Sequence, residues 1–352
     1  MADMMRGNEA IAEAAIRAGA RFYAGYPITP STEIMEYMSW RLDEVGGVFI
    51  QAESEVSAIN MIIGAAACGV RAITASSGPG ISLKQDGIGC LSDEQLPAVV
   101  VNMVRYGVGI GTLLSGQGDY LRETRGGGNG DYRCIVLCPA SIQEATELMF
   151  LAFDLAEKYR MVCVYMSEGA LGQMMEPCEL PEMRELPRYS WAFDGKYTNK
   201  KIGIFDRNPS KEAKEMREKY DHIKATEQRW ESGFVEDCDY CFVAYGLPGR
   251  SVKGAVDELR KEGHRVGFIR PITVWPFPEN AFKEVNKDVK GFISIEATAT
   301  GQLIEDIALS VKKAFSNNVP CYCNPHIFGV PSVKNIKKDF ASVLSGELKE
   351  MF

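Results

Sequence analysis

A short segment with two prolines, Tyr26–Glu33 (YPITPSTE), constrains the fold of this chain more than any other segment. It follows an apolar run that predicts a β-strand over Phe22–Tyr26, and a helical pattern comes directly after it. The prolines restrict the backbone around Thr29, and either Ser31 or Thr32 is suited to begin the helix. The segment is therefore predicted to hold a hydroxyl at the carboxyl end of a strand, where ligands bind in open α/β sheets. A proline-rich connection without a ligand is the alternative interpretation.

Apolar runs and helical patterns alternate along most of the chain, which is typical of sheets covered by helices. Strands are predicted at Phe22–Tyr26, Val48–Gln51, Ala72–Ala75, Ala98–Val104, Cys134–Leu137, Val162–Met166, Tyr240–Tyr245, Arg265–Ile269, Gly291–Glu296 and Cys321–Cys323. Helices are predicted at Ala10–Ala18, Ser31–Asp43, Ser54–Cys68, Ser82–Glu94, Ile142–Lys158, Lys211–Trp230, Arg250–Glu262, Glu279–Val285, Gln302–Ala314 and Val333–Leu344. The predicted fold class is α/β, with two doubly wound, mostly parallel-sheet domains.

The composition changes twice along the chain, and these changes predict the domain boundaries. Residues 1–180 are predicted to form the first α/β domain, residues 181–237 a charged connector with one helix, and residues 238–352 a second α/β domain. A length of 352 residues suits two domains. The connector is expected to pack on a neighbour, and a solvated linker is the alternative.

Charge, hydropathy and cysteine spacing argue against several classes of function. A net charge of −8 and a pI near 5.2 argue against a general nucleic-acid surface. No apolar run reaches 18 residues, and the first residues lack the apolar region of a signal peptide, so a cytoplasmic protein without a membrane segment is expected. The ten cysteines are scattered, with one CxxC at Cys238–Cys241, so they are predicted to be structural and no metal site is expected.

Polar residues follow three further predicted strands. Glu55 begins a helix with an apolar face, and Glu53 is a weaker candidate, although carboxylates at this place also simply favour a helix N-terminus. Arg105 ends the apolar run Val99–Val104, where structure alone explains an arginine poorly and an internal salt bridge is the alternative. The loop Ser76–Gly80 contains glycines that permit close approach of a ligand, or that simply form a tight turn.

Several of these segments resemble motifs of one enzyme family, the thiamine-pyrimidine subunits of the 2-oxoacid:ferredoxin oxidoreductases. The similar segments are Tyr26–Ser31 (YPITPS), Gln51–Glu55 (QAESE), Thr74–Gly80 (TASSGPG) and Arg270–Pro278 (RPITVWPFP). The middle of the chain is most similar to the branched-chain 2-oxoacid (2-oxoisovalerate) type, in Gly126–Arg133 (GGGNGDYR) and Leu171–Pro177 (LGQMMEP). The resemblance covers nearly the whole chain.

The resemblance implies roles for individual residues. Glu55 matches the glutamate that bonds to N1′ of the aminopyrimidine of thiamine diphosphate, where a protonated or proton-sharing carboxyl is needed. Thr29 matches a threonine that bonds to the substrate carboxylate or the pyrimidine end of the cofactor, and Arg105 matches the arginine that binds the 2-oxoacid carboxylate. The residues implied around the cofactor are Tyr26, Pro27, Ile28, Thr29, Glu55, Ser76, Ser77 and Gly78. Those implied around the substrate are Thr29, Arg105, Tyr106 and Gly107.

The resemblance also implies a multi-subunit enzyme. The chain has no Gly-Asp-Gly segment, so a beta subunit is expected to hold the diphosphate of thiamine diphosphate and Mg²⁺. The [4Fe–4S] clusters are expected on partner subunits, with gamma and ferredoxin-like delta subunits completing the complex and ferredoxin accepting the electrons. Coenzyme A is the implied co-substrate, and the second domain resembles the C-terminal domain of transketolase.

The substrate is the least constrained part of this interpretation. The resemblance implies oxidative decarboxylation of 2-oxoisovalerate or another branched-chain 2-oxoacid to acyl-CoA and CO₂. The same reaction on 2-oxoglutarate, pyruvate or an aryl pyruvate is one alternative, and a non-catalytic scaffold subunit is another. The family pattern would place Arg-Gly-Gly-Pro at Arg105, whereas the chain has Arg105–Gly111 (RYGVGIG). The bulk of Tyr106 and Val108 is expected to shape the pocket for the substrate side chain.

Overall fold

A computed structural model of the chain describes residues 2–185, 189–193, 208–327 and 329–352, so part of the predicted connector lies outside the described residues. Its strands are β1 (Asp3–Arg6), β2 (Phe22–Gly25), β3 (Val48–Gln51), β4 (Ala72–Ser76), β5 (Ala98–Val104), β6 (Ile135–Leu137), β7 (Val162–Glu168), β8 (Met175–Cys178), β9 (Trp230–Gly233), β10 (Tyr240–Val243), β11 (Val266–Pro271), β12 (Thr273–Trp275), β13 (Gly291–Ser294) and β14 (Cys321–Cys323). Its α-helices are α1 (Gly7–Arg17), α2 (Thr32–Glu44), α3 (Glu55–Ala67), α4 (Pro79–Asp93), α5 (Tyr120–Arg125), α6 (Ile142–Tyr159), α7 (Gly169–Gln173), α8 (Pro209–Thr226), α9 (Gly246–Lys261), α10 (Leu303–Ala314) and α11 (Val333–Leu344). The predicted α/β class with mostly parallel sheets is confirmed.

The first sheet has seven strands in the order β12-β6-β7-β5-β4-β2-β3, and all of its pairs are parallel except β12–β6. Every residue of β4, β5 and β7 is buried, as expected for central strands with helices on both faces. The chain passes from β2 outward to β3 and then returns to the other side of β2 to form β4. This reversal opens a crevice at the carboxyl ends of β2 and β4, which is the usual ligand position in such sheets.

The second sheet has five strands in the order β14-β13-β10-β11-β9, with β9 antiparallel at its edge. The sequence interpretation missed β9, β12 and the small antiparallel pair β1–β8. Each is a strand of three or four residues, too short to show the alternation of apolar and polar residues that marks longer strands. Strand β12 lies in the predicted second domain but pairs in the first sheet, and β9 lies in the predicted connector but pairs in the second sheet. Both strands therefore cross the predicted domain boundaries.

Several predicted helix ends differ from the observed ones for local reasons. Helix α4 begins at Pro79, three residues earlier than predicted, because proline suits the first position of a helix. Helix α8 ends at Thr226 because the residues that follow turn into β9. The helix predicted at Glu279–Val285 is a short 3₁₀ helix, Glu279–Glu284.

The crevice of the second sheet is filled by Gln117, a residue of the first domain. Its amide donates to the carboxylate of Glu168 (2.6 Å) and to the carbonyl of Tyr245 (3.2 Å). Its Oε1 accepts from the backbone N–H of Ala297 (3.0 Å), which follows β13. Burial raises the pKa of Glu168 to about 7, because desolvation favours the neutral carboxyl. The carboxyl edge of the second sheet therefore joins the two domains.

Arg270 of β11 ties three parts of the chain together. Its guanidinium donates to both carboxylate oxygens of Glu144 on α6 (2.7 and 3.1 Å) and to Glu231 on β9 (2.9 Å). The arginine side chain is only 7% exposed, so these bonds are shielded from water. The first domain, the connector and the second domain thus meet at one buried cation.

Replacing Arg270 by Met is expected to destabilise the full chain by about 3–5 kcal/mol, because two carboxylates lose their buried partner. The free energy of unfolding in denaturant measures this effect. The matched control is Arg265→Met, which breaks a largely exposed pair with Asp239 and is expected to cost under about 1 kcal/mol. Equal losses in both variants would show that Arg270 does not act as a buried tie.

Candidate functional site

The polar residues singled out in the sequence meet at one edge of the first sheet. They follow the carboxyl ends of four strands that lie side by side in the order β5-β4-β2-β3, with the crevice between β4 and β2. In the described part of the chain no helix is long and apolar enough to cross a bilayer. No group of three or more His, Cys, Asp or Glu side chains suited to a metal ion is found among the same residues.

The loop after β2 is held by backbone and side-chain hydrogen bonds. The amide of Asn8 donates to the carbonyl of Pro30 (2.7 Å) and to the carboxylate of Glu33 (2.8 Å). The hydroxyl of Ser31 bonds back to the carbonyl of Ile28 (2.9 Å), so it does not cap α2 through its side chain as the sequence suggested. Thr29 lies exposed at the top of this fixed loop.

Tyr26, Pro27 and Ile28 form the first half of the same loop. Tyr26 is 40% exposed, and the other two are partly buried. They lie beside Thr29 at the crevice, as placement after β2 requires.

Glu55 is the first residue of α3 and is buried, with 6% of its surface exposed. Ser54 caps the helix by accepting from the backbone N–H of Ser57 (3.2 Å), so α3 starts at a defined residue. Glu53 is exposed and accepts from the hydroxyl of Ser57 (2.6 Å), a bond that lowers the pKa of its carboxyl. A local role at the start of α3 thus explains why Glu53 is present, but it does not explain why the carboxyl of Glu55 is buried.

The loop between β4 and α4 approaches both Glu55 and the arginine after β5. A Cβ atom on Gly80 would clash with the hydroxyl of Ser76 and lie 2.5 Å from Oε1 of Glu55. A Cβ atom on Gly78, which has a positive φ of 48°, would lie 3.1 Å from Nε of Arg105. The two glycines therefore let the loop lie between the carboxyl and the guanidinium.

Arg105 is buried and has no carboxylate partner among the described residues. Its guanidinium donates to the carbonyl of Thr29 (2.8 Å) and to the carbonyl of Ile110 (2.5 Å), while Nε has no partner. The internal salt bridge considered from the sequence is thus not formed within the described parts of the chain. A buried cation with only carbonyl partners suits an anionic ligand.

The segment after Arg105, residues 106–114, folds back on itself. The backbone N–H of Tyr106 donates to the carbonyl of Leu114 (2.6 Å), and its carbonyl accepts from the N–H of Thr112 (2.8 Å). Gly107 has a φ of 115° and packs against Gly111, so a side chain at that position would prevent the turn. The bulky side chains of this loop point outward: Val108 is 98% exposed and Ile110 is 81% exposed. The expectation that Val108 shapes the substrate pocket is therefore not met within this chain, because the turn directs its side chain away from Arg105.

Two further features of the site were not found from the sequence. Lys84 on α4 is fully buried and its Nζ lies 3.5 Å from the backbone carbonyl of Glu55. Arg122 on α5 donates to Asp119 (2.5 Å), Glu123 (3.0 Å) and the carbonyl of Gly78 (3.3 Å), and so supports the loop from behind. The spacing of four residues between Gly80 and Lys84, which puts both on one face of a helix, was the available signal for Lys84. The role of Arg122 depends on contacts between separate elements, which the sequence does not show.

Three of the buried polar atoms without partners among the described residues lie at this site. The hydroxyls of Ser76 and Ser77 are buried and lack hydrogen-bond partners among the described residues, as does Nε of Arg105. Buried polar atoms are almost always paired in folded proteins. Two hydroxyls, a carboxyl and a guanidinium thus lie together at one edge of the first sheet.

Two family models match the chain. Residues 13–236 match the family model of the pyruvate flavodoxin/ferredoxin oxidoreductase thiamine diphosphate-binding domain, and residues 238–324 match core domain II of pyruvate:ferredoxin oxidoreductase. The chain therefore belongs to the 2-oxoacid:ferredoxin oxidoreductase family, as a subunit of an oxidoreductase.

Two individual relatives are similar to most of this chain. Subunit VorB of the ketoisovalerate oxidoreductase of Methanothermobacter thermautotrophicus is 45% identical over 314 residues, covering 87% of this chain and 89% of the relative. Subunit KorA of the 2-oxoglutarate synthase of Methanocaldococcus jannaschii is 37% identical over 343 residues, covering 89% and 92%. The predicted resemblance to the family is confirmed.

A solved structure shows the same fold. The 2-oxoglutarate:ferredoxin oxidoreductase from Magnetococcus marinus, determined with 2-oxoglutarate, coenzyme A and succinyl-CoA bound, matches with a TM-score of 0.82 and 24% identity. The match covers 96% of this chain and 65% of that chain. A split-gene transketolase matches with a TM-score of 0.57 and 11% identity.

Proposed function

We propose that this chain is the pyrimidine-side (alpha) subunit of a coenzyme A-acylating 2-oxoacid:ferredoxin oxidoreductase. The observation that supports it best is the buried guanidinium of Arg105, which has no carboxylate partner in the described parts of the chain and lies across the Gly78–Gly80 loop from Glu55. This places a cation for a carboxylate substrate near a carboxyl that can hold a proton. A scaffold subunit without cofactor contact would have no need for either.

The residues present fit thiamine diphosphate. The hydroxyls of Ser76 and Ser77, which have no partner among the described residues, and the carboxyl of Glu55 offer hydrogen-bonding groups to an aminopyrimidine. When bound, this cofactor supplies the electron sink that allows a 2-oxoacid to lose CO₂. The diphosphate and Mg²⁺ are assigned to a beta subunit because the chain lacks a Gly-Asp-Gly segment.

The chain's own residues then have separate tasks. Glu55 holds a proton at N1′ of the aminopyrimidine or shares it with that nitrogen. Arg105 binds the substrate carboxylate, with Thr29 beside it, and orients the 2-oxo carbon. Tyr106 and Gly107 shape the opening of the pocket, and the partner subunits carry the [4Fe–4S] clusters that pass electrons to ferredoxin.

We infer that the substrate is a branched-chain 2-oxoacid such as 2-oxoisovalerate. The loop of residues 106–114, which directly follows Arg105, contains no lysine or arginine. A second carboxylate, as in 2-oxoglutarate, would require a further cation to replace its hydration. The identity to a ketoisovalerate oxidoreductase subunit supports the same assignment, whereas the identity to 2-oxoglutarate synthase subunits supports the other.

The direct test is reduction of ferredoxin or viologen by the complex purified with this chain. Coenzyme A is present, and 2-oxoisovalerate, 2-oxoglutarate, pyruvate and phenylpyruvate are compared by kcat/KM. We expect 2-oxoisovalerate to be preferred at least tenfold, which corresponds to about 1.4 kcal/mol of discrimination. Preference for 2-oxoglutarate would overturn the substrate assignment, and no reduction with any acid would favour the scaffold interpretation.

Replacing Gly80 by Ala is expected to lower turnover of the complex about 100-fold or more. The added methyl group would meet the hydroxyl of Ser76 and the carboxyl of Glu55, so the carboxyl has to move, and small displacements of catalytic groups are costly. The control is Gly64→Ala on α3, where a Cβ meets no atom within 4 Å and stability is expected to rise slightly. Wild-type turnover in the Gly80 variant would show that Glu55 does not need its observed position.

A further inference from the structure

A buried lysine lies in the interface between α3 and α4. Lys84 has no exposed surface. On α4 it lies about one helical turn after Gly80 and about one turn before Gly87, so all three residues share one face of the helix. Both glycines bring α4 close to α3, since a Cβ on Gly80 would meet Glu55 and one on Gly87 would lie 2.5 Å from Cγ2 of Ile59. The ammonium is therefore enclosed on the helix face that also contacts Glu55.

The ammonium is weakly satisfied where it lies. Among the described residues, its one hydrogen bond runs from Nζ to the backbone carbonyl of Glu55, at 3.5 Å. Burial lowers the pKa of Lys84 to about 8, and the carboxyl of Glu55 is the charged group that opposes this shift. The two side chains are thus close enough to act on each other electrostatically.

The buried ammonium of Lys84 lowers the stability of the fold, so we look for a role of this residue in the site. A buried ammonium with one long hydrogen bond is unfavourable, and methionine would fill a similar volume between two helices without that cost. The cation adjoins the residue whose carboxyl is proposed to control a proton. Its bond to the first residue of α3 also fixes the position from which that carboxyl extends.

We propose that Lys84 is a positioning residue for Glu55, which it orients through the first turn of α3 and through its charge. The inference rests on the proposed function of Glu55. It assigns to α4 a role beyond that of its glycine loop, and it makes the effects of the two side chains on thiamine diphosphate binding interdependent.

The test is a double-mutant cycle on thiamine diphosphate affinity, measured by calorimetry on the cofactor-depleted complex with Mg²⁺. We expect Lys84→Met to weaken binding about tenfold in the wild-type background and less than twofold in the Glu55→Gln background, because the substituted residue acts through Glu55. Lys84→Arg, which keeps the charge, is expected to restore part of the affinity. The KM for the 2-oxoacid is expected to stay within twofold in Lys84→Met and Lys84→Arg.

Thermal unfolding of the same complexes excludes a merely structural effect. The unfolding temperature of the Lys84→Met variant is not expected to fall, since a buried charge is removed. The control is Ile88→Val, one turn further along the same buried face, which is expected to lower the unfolding temperature slightly and leave cofactor affinity unchanged.

The outcomes separate this inference from the proposed function. Equal effects of Lys84→Met in both backgrounds, or no effect in either, would overturn the positioning role. If Glu55→Gln itself leaves both affinity and turnover unchanged, the proposed function fails as well.

Discussion

Replacing Glu55 by Gln in the assembled complex is expected to lower kcat by 10²–10⁴-fold, the usual contribution of a general acid–base group. Glutamine fills the same space but cannot release or accept a proton at physiological pH. Glu55 is buried beside Gly80, so its carboxyl is held in a fixed place. The rate of 2-oxoacid-dependent ferredoxin reduction under saturating substrate measures the effect.

The matched control for this variant is Glu53→Gln. Glu53 lies two residues earlier, is exposed, and bonds to Ser57 at the start of the same helix. Its replacement is expected to leave kcat within about twofold and to cost at most about 1 kcal/mol of stability, as loss of a helix N-terminal charge does. Unchanged kcat in the Glu55 variant would rule out the catalytic interpretation of the whole site.

The second large effect is expected at Arg105. Replacing it by Met should lower kcat/KM for the 2-oxoacid by about 10²–10³-fold, mainly through KM, because the buried cation proposed to bind the substrate carboxylate is lost. Arg105→Lys should lose about tenfold less, since it keeps the charge but not the planar fork. Steady-state kinetics over a wide range of substrate concentration separates KM from kcat.

The control for Arg105 is Arg160→Met. The guanidinium of Arg160 stacks 4.0 Å from the ring of Trp191 and bonds to the carbonyl of Gln95, which precedes β5. It therefore lies at the opposite end of the strands from the site, and its removal is expected to affect stability but not KM. A normal KM in Arg105→Met would show that the substrate carboxylate binds elsewhere.

Much of the fold could be predicted from the sequence because the central strands are long apolar runs. β5, predicted at Ala98–Val104, has those same bounds, and β3 and β14 also agree with their predicted ranges. Once the strands are parallel, all their carboxyl ends lie at one edge. This geometry brings together residues far apart in the chain: Thr29 and Arg105, which the resemblance assigned to one substrate carboxylate, are hydrogen-bonded in the structure.

The short edge strands could not be predicted, since their stability comes from the neighbours they pair with. Thr273–Trp275 forms three residues of strand only because β6 offers an open edge. Trp230–Gly233 likewise depends on β11. Local preference decides little in strands of this length, and tertiary pairing decides the rest.

The sequence by itself determined the family, the α/β class and the residues that carry the proposed chemistry, because these are encoded locally in motifs and apolar runs. Only the tertiary structure decided that Arg105 has carbonyls rather than a carboxylate as partners, and that Gln117 fills the crevice of the second sheet. The structure alone also placed Lys84 under Glu55. Burial and pairing of charges depend on which helices approach each other, and such contacts between distant segments leave no periodic signal in a single sequence.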